Sequence, residues 1–335
     1  MTPIIFAMSG LTLTPDERAL FRDADPAGYI LFARNIDTPD QVRALTEELR
    51  SLSGNAKTPI LVDQEGGRVQ RLGPPHWPVH PPAKVFGNAW LAAPMTAIEA
   101  ARYHAQAIGN ELKAVGIDTD CLPLLDVVTP GAHEVIGDRS FGPDQMMVAA
   151  LGAAIMEGLR EARVTPIMKH VPGHGRAAAD SHAELPVVTA TREELATDIY
   201  PFERLNRCPM AMTAHVRYDA IDTENCASLS SKVIAEVIRD EIGFDGLLMC
   251  DDLTMSALDG SLSDRMAAAL RAGCDCVLHC SGDFAEMDAL TNAAPNMSPT
   301  ATERLAAAVD WAGDEPTAFT DAAARRDALL ASLSV

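Results

Sequence analysis

The chain has 335 residues, of which 47% are hydrophobic and 22% charged, and this composition is typical of a globular protein rather than a collagen-like, disordered or coiled-coil one. Its 27 basic and 47 acidic residues leave a formal charge of −20, which argues against nonspecific binding to nucleic acid because such binding needs a positive face. The longest weakly charged stretch, residues 146–159, is shorter than the ~18 apolar residues that a membrane-spanning helix needs, so we expect no membrane insertion.

Short apolar runs alternate with longer amphipathic stretches along the chain. Eight apolar runs predict strands, at 3–8, 28–33, 59–64, 118–124, 165–170, 210–216, 246–251 and 274–280. The amphipathic stretches predict helices at 14–23, 39–52, 94–114, 144–162, 191–206, 230–241 and 261–272. One helix in each gap between strands is the pattern of βα units that build a parallel sheet.

Eight successive βα units favour a closed (β/α)8 barrel, a TIM barrel in the α/β class, over an open sheet. We expect the barrel at about 3–280, with two or three further helices at 283–333 packed outside it. The proline-rich segment 73–82 is too short for a linker and predicts a rigid loop after the third strand. Because no linker divides the chain, we expect a single domain over 1–335.

The beginning of the chain and its cysteines bear on its location. The first ten residues have no basic lead and only a short apolar run, so they predict a strand rather than a signal peptide. Seven cysteines scattered through a chain of this size do not resemble the disulfide framework of a small secreted domain. We therefore expect a cytoplasmic protein.

Ionisable residues follow four of the predicted strands. In a barrel of this kind, catalytic groups lie at the carboxyl ends of the strands. The residues concerned are Asp63, Glu65 and Arg71 after the third strand, Lys169 and His170 at the end of the fifth, His215 in the sixth, and Asp251 and Asp252 after the seventh. Charged groups that point into one barrel mouth are costly to place there without a role in binding or catalysis. This set therefore predicts an active site.

The segment 169–186, KHVPGHGRAAADSHAELP, concentrates histidines and glycines in one loop. Its proline and glycines exclude a helix, so His170 and His174 cannot form the helical two-histidine face of a zinc enzyme. Asp180 and His182 are separated by one residue, close enough for the carboxylate to bond the imidazole. Such a bond would favour the protonated ring and prepare His182 as a general acid. The alternative is that the same hydrogen bond only stabilises the loop and has no catalytic role.

Asp251 ends a buried strand, and its carboxylate is expected to face the barrel mouth. The functional interpretation is a nucleophile or an electrostatic partner for a cationic transition state. The alternative is an N-cap for the next helix, a role that we expect Asp252 to take more than Asp251. The run CDCVLHC at 274–280 contains potential zinc ligands, but its spacing is wrong for a zinc knuckle and the last barrel strand is the better interpretation.

Five motifs stand in a characteristic order and spacing: VDQEGGRVQRL (62–72), VIGDRSFG (135–142), KHVPGHG (169–175), DSH (180–182) and DDLTM (251–255). With them the sequence resembles the bacterial β-N-acetylglucosaminidases, or β-hexosaminidases, of glycoside hydrolase family 3, the enzymes that trim muropeptides in peptidoglycan recycling. Weaker similarities extend the resemblance from about residue 5 to residue 280.

The resemblance implies a retaining exo-β-N-acetylglucosaminidase that removes non-reducing terminal N-acetylglucosamine (GlcNAc) from muropeptides of the GlcNAc-anhydroMurNAc type. By motif match, Asp251 is the nucleophile of a double displacement through a glycosyl-Asp intermediate. His182 on a mobile loop matches the acid/base residue, and Asp180 its dyad partner. The positions that match the sugar-binding set are Asp63, Arg71, Arg139, Lys169 and His170. No metal, other cofactor or obligatory protein partner is implied.

Two residues in the loop depart from the family pattern, which has Phe at Val171 and an acidic residue at Arg176. They leave the dyad intact but bear on loop packing, and hence on turnover or aglycone preference. Four alternatives to hydrolysis by double displacement stay open. They are a β-N-acetylglucosaminide phosphorylase, substrate-assisted hydrolysis through the acetamido group, a metal-dependent amidohydrolase that uses His170, His174 and His182, and a non-catalytic sugar-sensing barrel.

Overall fold

The computed structural model describes residues 1–129, 131, 133–181, 183–313 and 317–333. Its barrel strands are β1 (Thr2–Phe6), β2 (Pro26–Leu31), β3 (Ile60–Val62), β4 (Thr119–Asp120), β5 (Thr165–Val171), β6 (Met210–Thr213), β7 (Leu247–Asp252) and β8 (Cys276–His279). Each strand pairs in parallel with the next, and β8 pairs with β1, so the sheet closes. The predicted (β/α)8 barrel is confirmed.

Helices connect the strands and follow the last of them. They are α1 (Pro15–Ala24), α2 (Pro39–Ser53), α3 (Ala83–Ala92), α4 (Pro94–Ala114), α5 (Gln145–Glu161), α6 (Arg192–Arg204), α7 (Val233–Glu241), α8 (Leu262–Ala272), α9 (Phe284–Ala293), α10 (Pro299–Asp310) and α11 (Ala322–Ser332). Only α3 was not predicted as a helix. It begins after Pro82, which makes no side-chain hydrogen bond to the helix, so the usual cap signal is missing from the sequence.

Side-chain caps fix where several of the predicted helices begin. Thr14 Oγ1 accepts a hydrogen bond from Glu17 N at 3.1 Å, while a carboxylate oxygen of Glu17 accepts one from Thr14 N at 2.7 Å. Thr191 and Glu194 form the same reciprocal arrangement at the start of α6. These capping boxes satisfy backbone N–H groups that the first helical turn leaves without partners.

Alternation along the strands divides the core into two layers. Ile5, Leu61, Ile167 and Met249 belong to the cluster inside the barrel, whereas their neighbours, such as Ile4, Val62 and Leu248, pack outward against the helices. The same period of two places Asp63, Lys169 and Asp251 on the inward side, each two residues after an inward-facing apolar residue. The sequence pattern therefore sets three of the expected site residues above the apolar interior.

The chain departs from barrel geometry in two places near the predicted site. The third strand ends at Val62 instead of residue 64, and Gln64–Gly66 instead pairs antiparallel with Val69–Gln70 in a hairpin. The fourth strand has two paired residues where seven were predicted, since Pro123 has no N–H to donate to a ladder. The segment 274–280 supplies β8, as expected, with Cys276 and His279 fully buried.

The helices after the barrel complete its outer layers. Ala301, Leu305 and Ala308 of α10 join the interior cluster and close the amino end of the barrel. Ala322 of α11 packs with Tyr103 and Ala107 of α4. Among the described residues, no helix is both long and apolar enough to cross a membrane.

Candidate active site

A cavity of about 330 Å³ lies at the carboxyl ends of the strands. Seven of the eight expected site residues line it: Asp63, Arg71, Arg139, Lys169, His170, Asp180 and Asp251. The eighth, His182, lies outside the described residues. Apolar side chains supply much of the remaining wall, among them Ile30, Phe32, Val135, Ile136, Met212 and Met255. Distant parts of the chain thus meet in one pocket that mixes charged and apolar surface.

Five charged side chains, of which all but Glu65 line the cavity, form what we call the ion-pair network: Arg71, Asp63, Lys169, Glu65 and Arg139. Lys169 is 2% exposed, and its Nζ donates to Asp63 Oδ1 at 2.9 Å and lies 2.6 Å from Glu65 Oε1. Arg71 Nη2 donates to the other oxygen of Asp63 at 3.1 Å. Arg139 binds Glu65 through two parallel bonds of 2.8 Å. Both carboxylates are therefore bridged between cations.

The cations of the ion-pair network keep its two carboxyl groups ionised. Burial would raise the pKa of both carboxyl groups, but Lys169 outweighs it, together with Arg71 at Asp63 and Arg139 at Glu65. The pKa of Asp63 consequently lies well below its usual range, and that of Glu65 falls to about 2. Burial would lower the pKa of Lys169, but the two carboxylates raise it above the usual value. All three groups are therefore charged at neutral pH.

A buried carboxylate, Asp126, holds the histidines of the neighbouring wall. Its Oδ2 lies 2.8 Å from His170 Nδ1, and its Oδ1 accepts from His174 N at 2.7 Å. Burial would raise the pKa of Asp126, but His170 lowers it to about 2. His174 has a pKa of about 4 because it is buried beside His170. At neutral pH, His174 is thus uncharged, whereas Asp126 is an anion that orients His170.

The two aspartates at the end of β7 differ in their surroundings. Asp252 Oδ1 accepts from Thr254 N at 3.0 Å and Cys280 N at 3.1 Å, so both neighbouring turns hold this side chain. Asp251 Oδ1 accepts only from Asp252 N, at 2.8 Å, among the described residues, and the carboxylate borders the cavity. Burial would raise the pKa of Asp251, but His215 and then His170 lower it. Asp251 is therefore an anion at neutral pH with an oxygen available to a ligand.

The alternative helix cap after β7 does not form. Turns follow Asp252, and the next helix begins only at Leu262. Ser261 caps that helix by accepting from Asp264 N at 3.2 Å. Asp252 is bound into a turn instead, which agrees with the expectation that it is the more structural of the two aspartates.

The loop after β5 brings Asp180 and Ser181 to the cavity. Ser181 is buried, its Oγ lies 3.2 Å from His174 Nε2, and its carbonyl accepts from Ala257 N at 3.2 Å. Arg176, one of the two departures from the family pattern, donates to Asp198 Oδ2 of α6 at 2.6 Å. The other departure, Val171, is fully buried at the end of β5. The described part of the loop is thus attached to α6 through Arg176 and to the segment after β7 through Ser181.

Sequence reasoning missed several residues of this site. Glu65 was noted at a strand end without a role, although its place two residues after Asp63 could have indicated one. No sequence pattern around Asp126 indicated a role in the site, because the residue lies in irregular backbone after a short strand. Phe32 was also missed; the guanidinium groups of Arg34 and Arg71 lie 5.0 and 5.3 Å from its ring centroid. The cation–π contact with Arg71 joins residues far apart in the chain, so it leaves no local trace in the sequence.

The possibility of a metal centre bears on the amidohydrolase alternative and on the potential zinc ligands at 274–280. Among the residues that the structure describes, no group of three or more His, Cys, Asp or Glu side chains is arranged to hold a metal ion. Of the potential ligands in 274–280, Cys274 and Cys276 are buried in the core. His279 Nε2 instead lies 3.0 Å from Glu286 Oε2.

Comparison with known proteins places this geometry in a family. The model of the glycosyl hydrolase family 3 N-terminal domain matches residues 7–310. A β-hexosaminidase from Aromatoleum aromaticum is 37% identical over 310 residues, which cover 91% of this chain and 86% of that protein. A β-hexosaminidase from Bordetella avium is 36% identical over 320 residues, 92% of this chain and 90% of that protein.

A solved structure supports the same family assignment. The crystal structure of NagZ from Neisseria gonorrhoeae in complex with N-trifluoroacetyl-D-glucosamine superposes with a TM-score of 0.86 at 31% identity, over 100% of this chain and 98% of that one. The chain therefore belongs to glycosyl hydrolase family 3, and the resemblance found in its motifs is confirmed. Within that family it is a glycoside hydrolase of the β-N-acetylhexosaminidase type.

Proposed function

We propose that the chain is a retaining exo-β-N-acetylglucosaminidase that releases terminal GlcNAc by double displacement. Asp251 is the nucleophile, His182 the acid/base and Asp180 its partner, while Asp63, Arg71, Arg139, Lys169 and His170 bind the sugar. The observation that carries this proposal is the position of Asp251, an inward-facing anion that shares one cavity with the polar sugar-binding set.

The surroundings of Asp251 suit a nucleophile. A carboxylate must be ionised to attack the anomeric carbon, and the lowered pKa of Asp251 keeps it so. One of its oxygens accepts a bond from Asp252 N, which fixes the orientation of the carboxylate, and the other is free of partners among the described residues. In the first step a bond forms between this carboxylate and the anomeric carbon as the glycosidic bond breaks.

The acid/base role rests on the loop after β5. The leaving oxygen needs a proton in the first step, and the water of the second step must lose one, so a single residue can serve both steps. His182 directly follows Ser181, which is anchored beside the cavity by His174 and Ala257. Asp180 also borders the cavity and is separated from His182 by one residue in the chain, and a carboxylate bonded to an imidazole raises its basicity.

The ion-pair network supplies the sugar-binding wall. Asp63 can accept hydrogen bonds from sugar hydroxyls, while Lys169, Arg71 and Arg139 donate to hydroxyl or acetamido oxygens. Because these charged groups already hold one another, they need little rearrangement when a sugar arrives. The apolar residues that also line the cavity, among them Val135, Ile136 and Met212, suit the methyl group of the acetamido substituent.

The size of the cavity favours a short substrate. About 330 Å³ is near the lower limit of ligand pockets, which suits one sugar ring with its substituents better than a stretch of polysaccharide. The relatives are β-hexosaminidases, and a NagZ structure holds an N-acylated glucosamine. We therefore propose GlcNAc-containing oligosaccharides, and muropeptides in particular, as substrates; a cytoplasmic location stays a prediction.

Proton NMR of a fresh reaction tests the proposal. The enzyme is mixed with an aryl β-N-acetylglucosaminide in buffer that contains chelator and lacks phosphate. We expect β-GlcNAc as the first product, because two inversions restore the configuration. If α-GlcNAc appears first, double displacement is wrong. A product that forms only after phosphate is added would indicate phosphorolysis, and activity lost in chelator would indicate a metal-dependent reaction.

We also propose that the barrel and the helices after it form one domain. Helix α10 contributes Leu305 and Ala308 to the interior cluster, and α11 packs on α4. Removal of either helix would expose apolar surface of the core. Calorimetry should therefore show one unfolding transition, and two separate transitions would contradict this proposal.

A further inference from the structure

A buried arginine on the last helix lies behind the sugar-binding wall. Arg326 of α11 is 5% exposed, although α11 lies beyond the residues matched by the family model, which end at 310. Its Nη1 is 2.9 Å from His80 Nδ1 and 3.4 Å from His104 Nδ1, and both histidines are buried. A guanidinium is costly to bury, so its position beside two histidines calls for an explanation.

The protonation of the two histidines follows from the arginine. Arginine can only donate hydrogen bonds, so Nδ1 of each ring must accept and the proton of each neutral ring lies on Nε2. For His80 this proton points to Glu111 Oε2 at 3.0 Å, and for His104 to the carbonyl oxygen of Glu65 at 3.4 Å. Burial, His80 and Arg326 all lower the pKa of His104, which keeps that ring neutral. The arginine thus fixes which atom each ring donates.

Both histidines contact the hairpin Gln64–Gly66/Val69–Gln70. His104 contacts it at the Glu65 carbonyl. His80 contacts it twice through its backbone, since its carbonyl accepts from Gly67 N at 2.8 Å and its N–H donates to Gln70 Oε1 at 3.0 Å. The contact is close, because a Cβ built on Gly66 would lie 2.4 Å from the Pro81 carbonyl oxygen. The hairpin is therefore held from behind by the segment that the arginine anchors.

The same hairpin carries part of the ion-pair network. Glu65 holds Lys169 and Arg139 through its carboxylate, while Arg71, just after the hairpin, holds Asp63. A shift of the hairpin would therefore move both ends of the network.

We infer that Arg326 is a positioning residue for the sugar subsite and that it acts through His80 and His104 on the hairpin that carries Glu65. This inference rests on the proposed sugar-binding role of the network. Arg326 itself does not border the cavity; the last helix of the chain instead sets the geometry of a wall that it does not touch.

Kinetics of Arg326→Met test the inference, with inhibition by free GlcNAc as the measure of sugar binding. We expect KM and the inhibition constant to rise about tenfold while kcat changes less than about threefold, because displaced groups bind the sugar less well. Arg326→Lys, which keeps a cationic donor, should recover part of the loss. The matched control is Arg325→Met, since Arg325 lies next along α11 and pairs with exposed Asp321 instead; its constants should stay within twofold.

A purely structural role predicts a different result. In that case Arg326→Met would lower the melting temperature and leave KM and the inhibition constant unchanged, which would overturn the inference. If Arg326→Met does not fold, His104→Phe decides, because this variant keeps the packing against Phe86 and removes the donor to Glu65. Unchanged constants in that variant would equally overturn the inference.

Glu65→Gln separates this inference from the proposal on which it rests. If sugar binding is unaffected in Glu65→Gln, the network is not the sugar-binding wall, and the proposed subsite is wrong. If Glu65→Gln weakens sugar binding while Arg326→Met and His104→Phe do not, the subsite stands and only the positioning role of Arg326 fails.

Discussion

The two ends of the barrel differ in whether their buried charges border a cavity. At the carboxyl end, Lys169 is 2% exposed and lies between Asp63 and Glu65. At the amino end, the buried ion pairs lie away from the cavity, with Asp275 bridged between Arg239 and Arg304. Lys57 and Asp310 form an ion pair there in which both side chains are more than half exposed, and the barrel interior is closed by apolar residues of α10. Buried charge is costly unless its partners are well placed, whereas exposed pairs contribute little. The difference indicates that binding and chemistry belong to the carboxyl end, and stability to the amino end.

Loss of the nucleophile should give the largest effect at the carboxyl end. In Asp251→Asn, the amide cannot attack the anomeric carbon, so kcat/KM for an aryl β-N-acetylglucosaminide should fall by a factor of about 10⁴. The fold and the binding of GlcNAc should persist, as checked by circular dichroism and by calorimetric titration. Residual activity within tenfold of the parent would assign the nucleophile to another residue.

The next largest effect is expected inside the ion-pair network. Glu65→Gln leaves Arg139 without a carboxylate and removes one of the two anions beside Lys169. The free energy of unfolding should drop by about 3 kcal/mol, and KM should rise at least tenfold. Chemical denaturation and steady-state kinetics measure the two quantities.

A matched control for Glu65→Gln is Glu48→Gln, which removes the partner of Arg18 in a pair of which about a third of each side chain is exposed. Both quantities should stay close to the parent values in this control. If both variants lose the same stability and the same substrate binding, the distinction between buried and partly exposed ion pairs is wrong.

The pH dependence of the free energy of unfolding tests how the buried carboxylate of Asp126 contributes to stability. Its pKa in the folded protein is about 2, below the ordinary 3.8, so its ionised form stabilises the fold. That contribution is complete above about pH 4 and disappears as the pH falls towards 2. Asp126→Asn should therefore lower the free energy of unfolding by about 2 kcal/mol at pH 7, and the difference from the parent should shrink between pH 4 and pH 2.

Urea denaturation of the parent and of Asp126→Asn at several pH values measures this difference. A difference that stays constant from pH 7 to pH 2 would show that Asp126 acts by packing rather than by charge.

The amino end should give the smallest effect. Asp310→Asn removes the negative charge opposite Lys57, and because both groups are exposed, the free energy of unfolding should change by about 1 kcal/mol or less. Added salt should reduce even that change, and kcat/KM should stay within twofold of the parent. A loss of activity in this variant would contradict the division between the two ends.

The features of the fold that were predicted from the sequence are those that depend on the short repeat of apolar residues along strands and helices. Alternation by two places Asp63, Lys169 and Asp251 inward with the apolar residues that precede them, so hydrophobic runs alone give the barrel, although β3 and β4 end before the predicted residues. Helix α3, whose cap has no side-chain signal, was not predicted.

The parts that were missed depend on contacts between distant residues. Asp126 holds His170 from irregular backbone, and Arg326 contacts His80, which lies 246 residues earlier in the chain. Such contacts leave no pattern in the neighbouring sequence, because the two partners come together only when the chain folds.

The central claim is that Asp251 forms the covalent intermediate, and trapping tests it most directly. The enzyme is incubated with a fluorinated N-acetylglucosaminide that carries a good leaving group, digested, and analysed by tandem mass spectrometry. We expect one glycosylated peptide, with the sugar on Asp251 and no adduct in Asp251→Asn. An adduct on another residue, or continued release of the leaving group without any adduct, would contradict it.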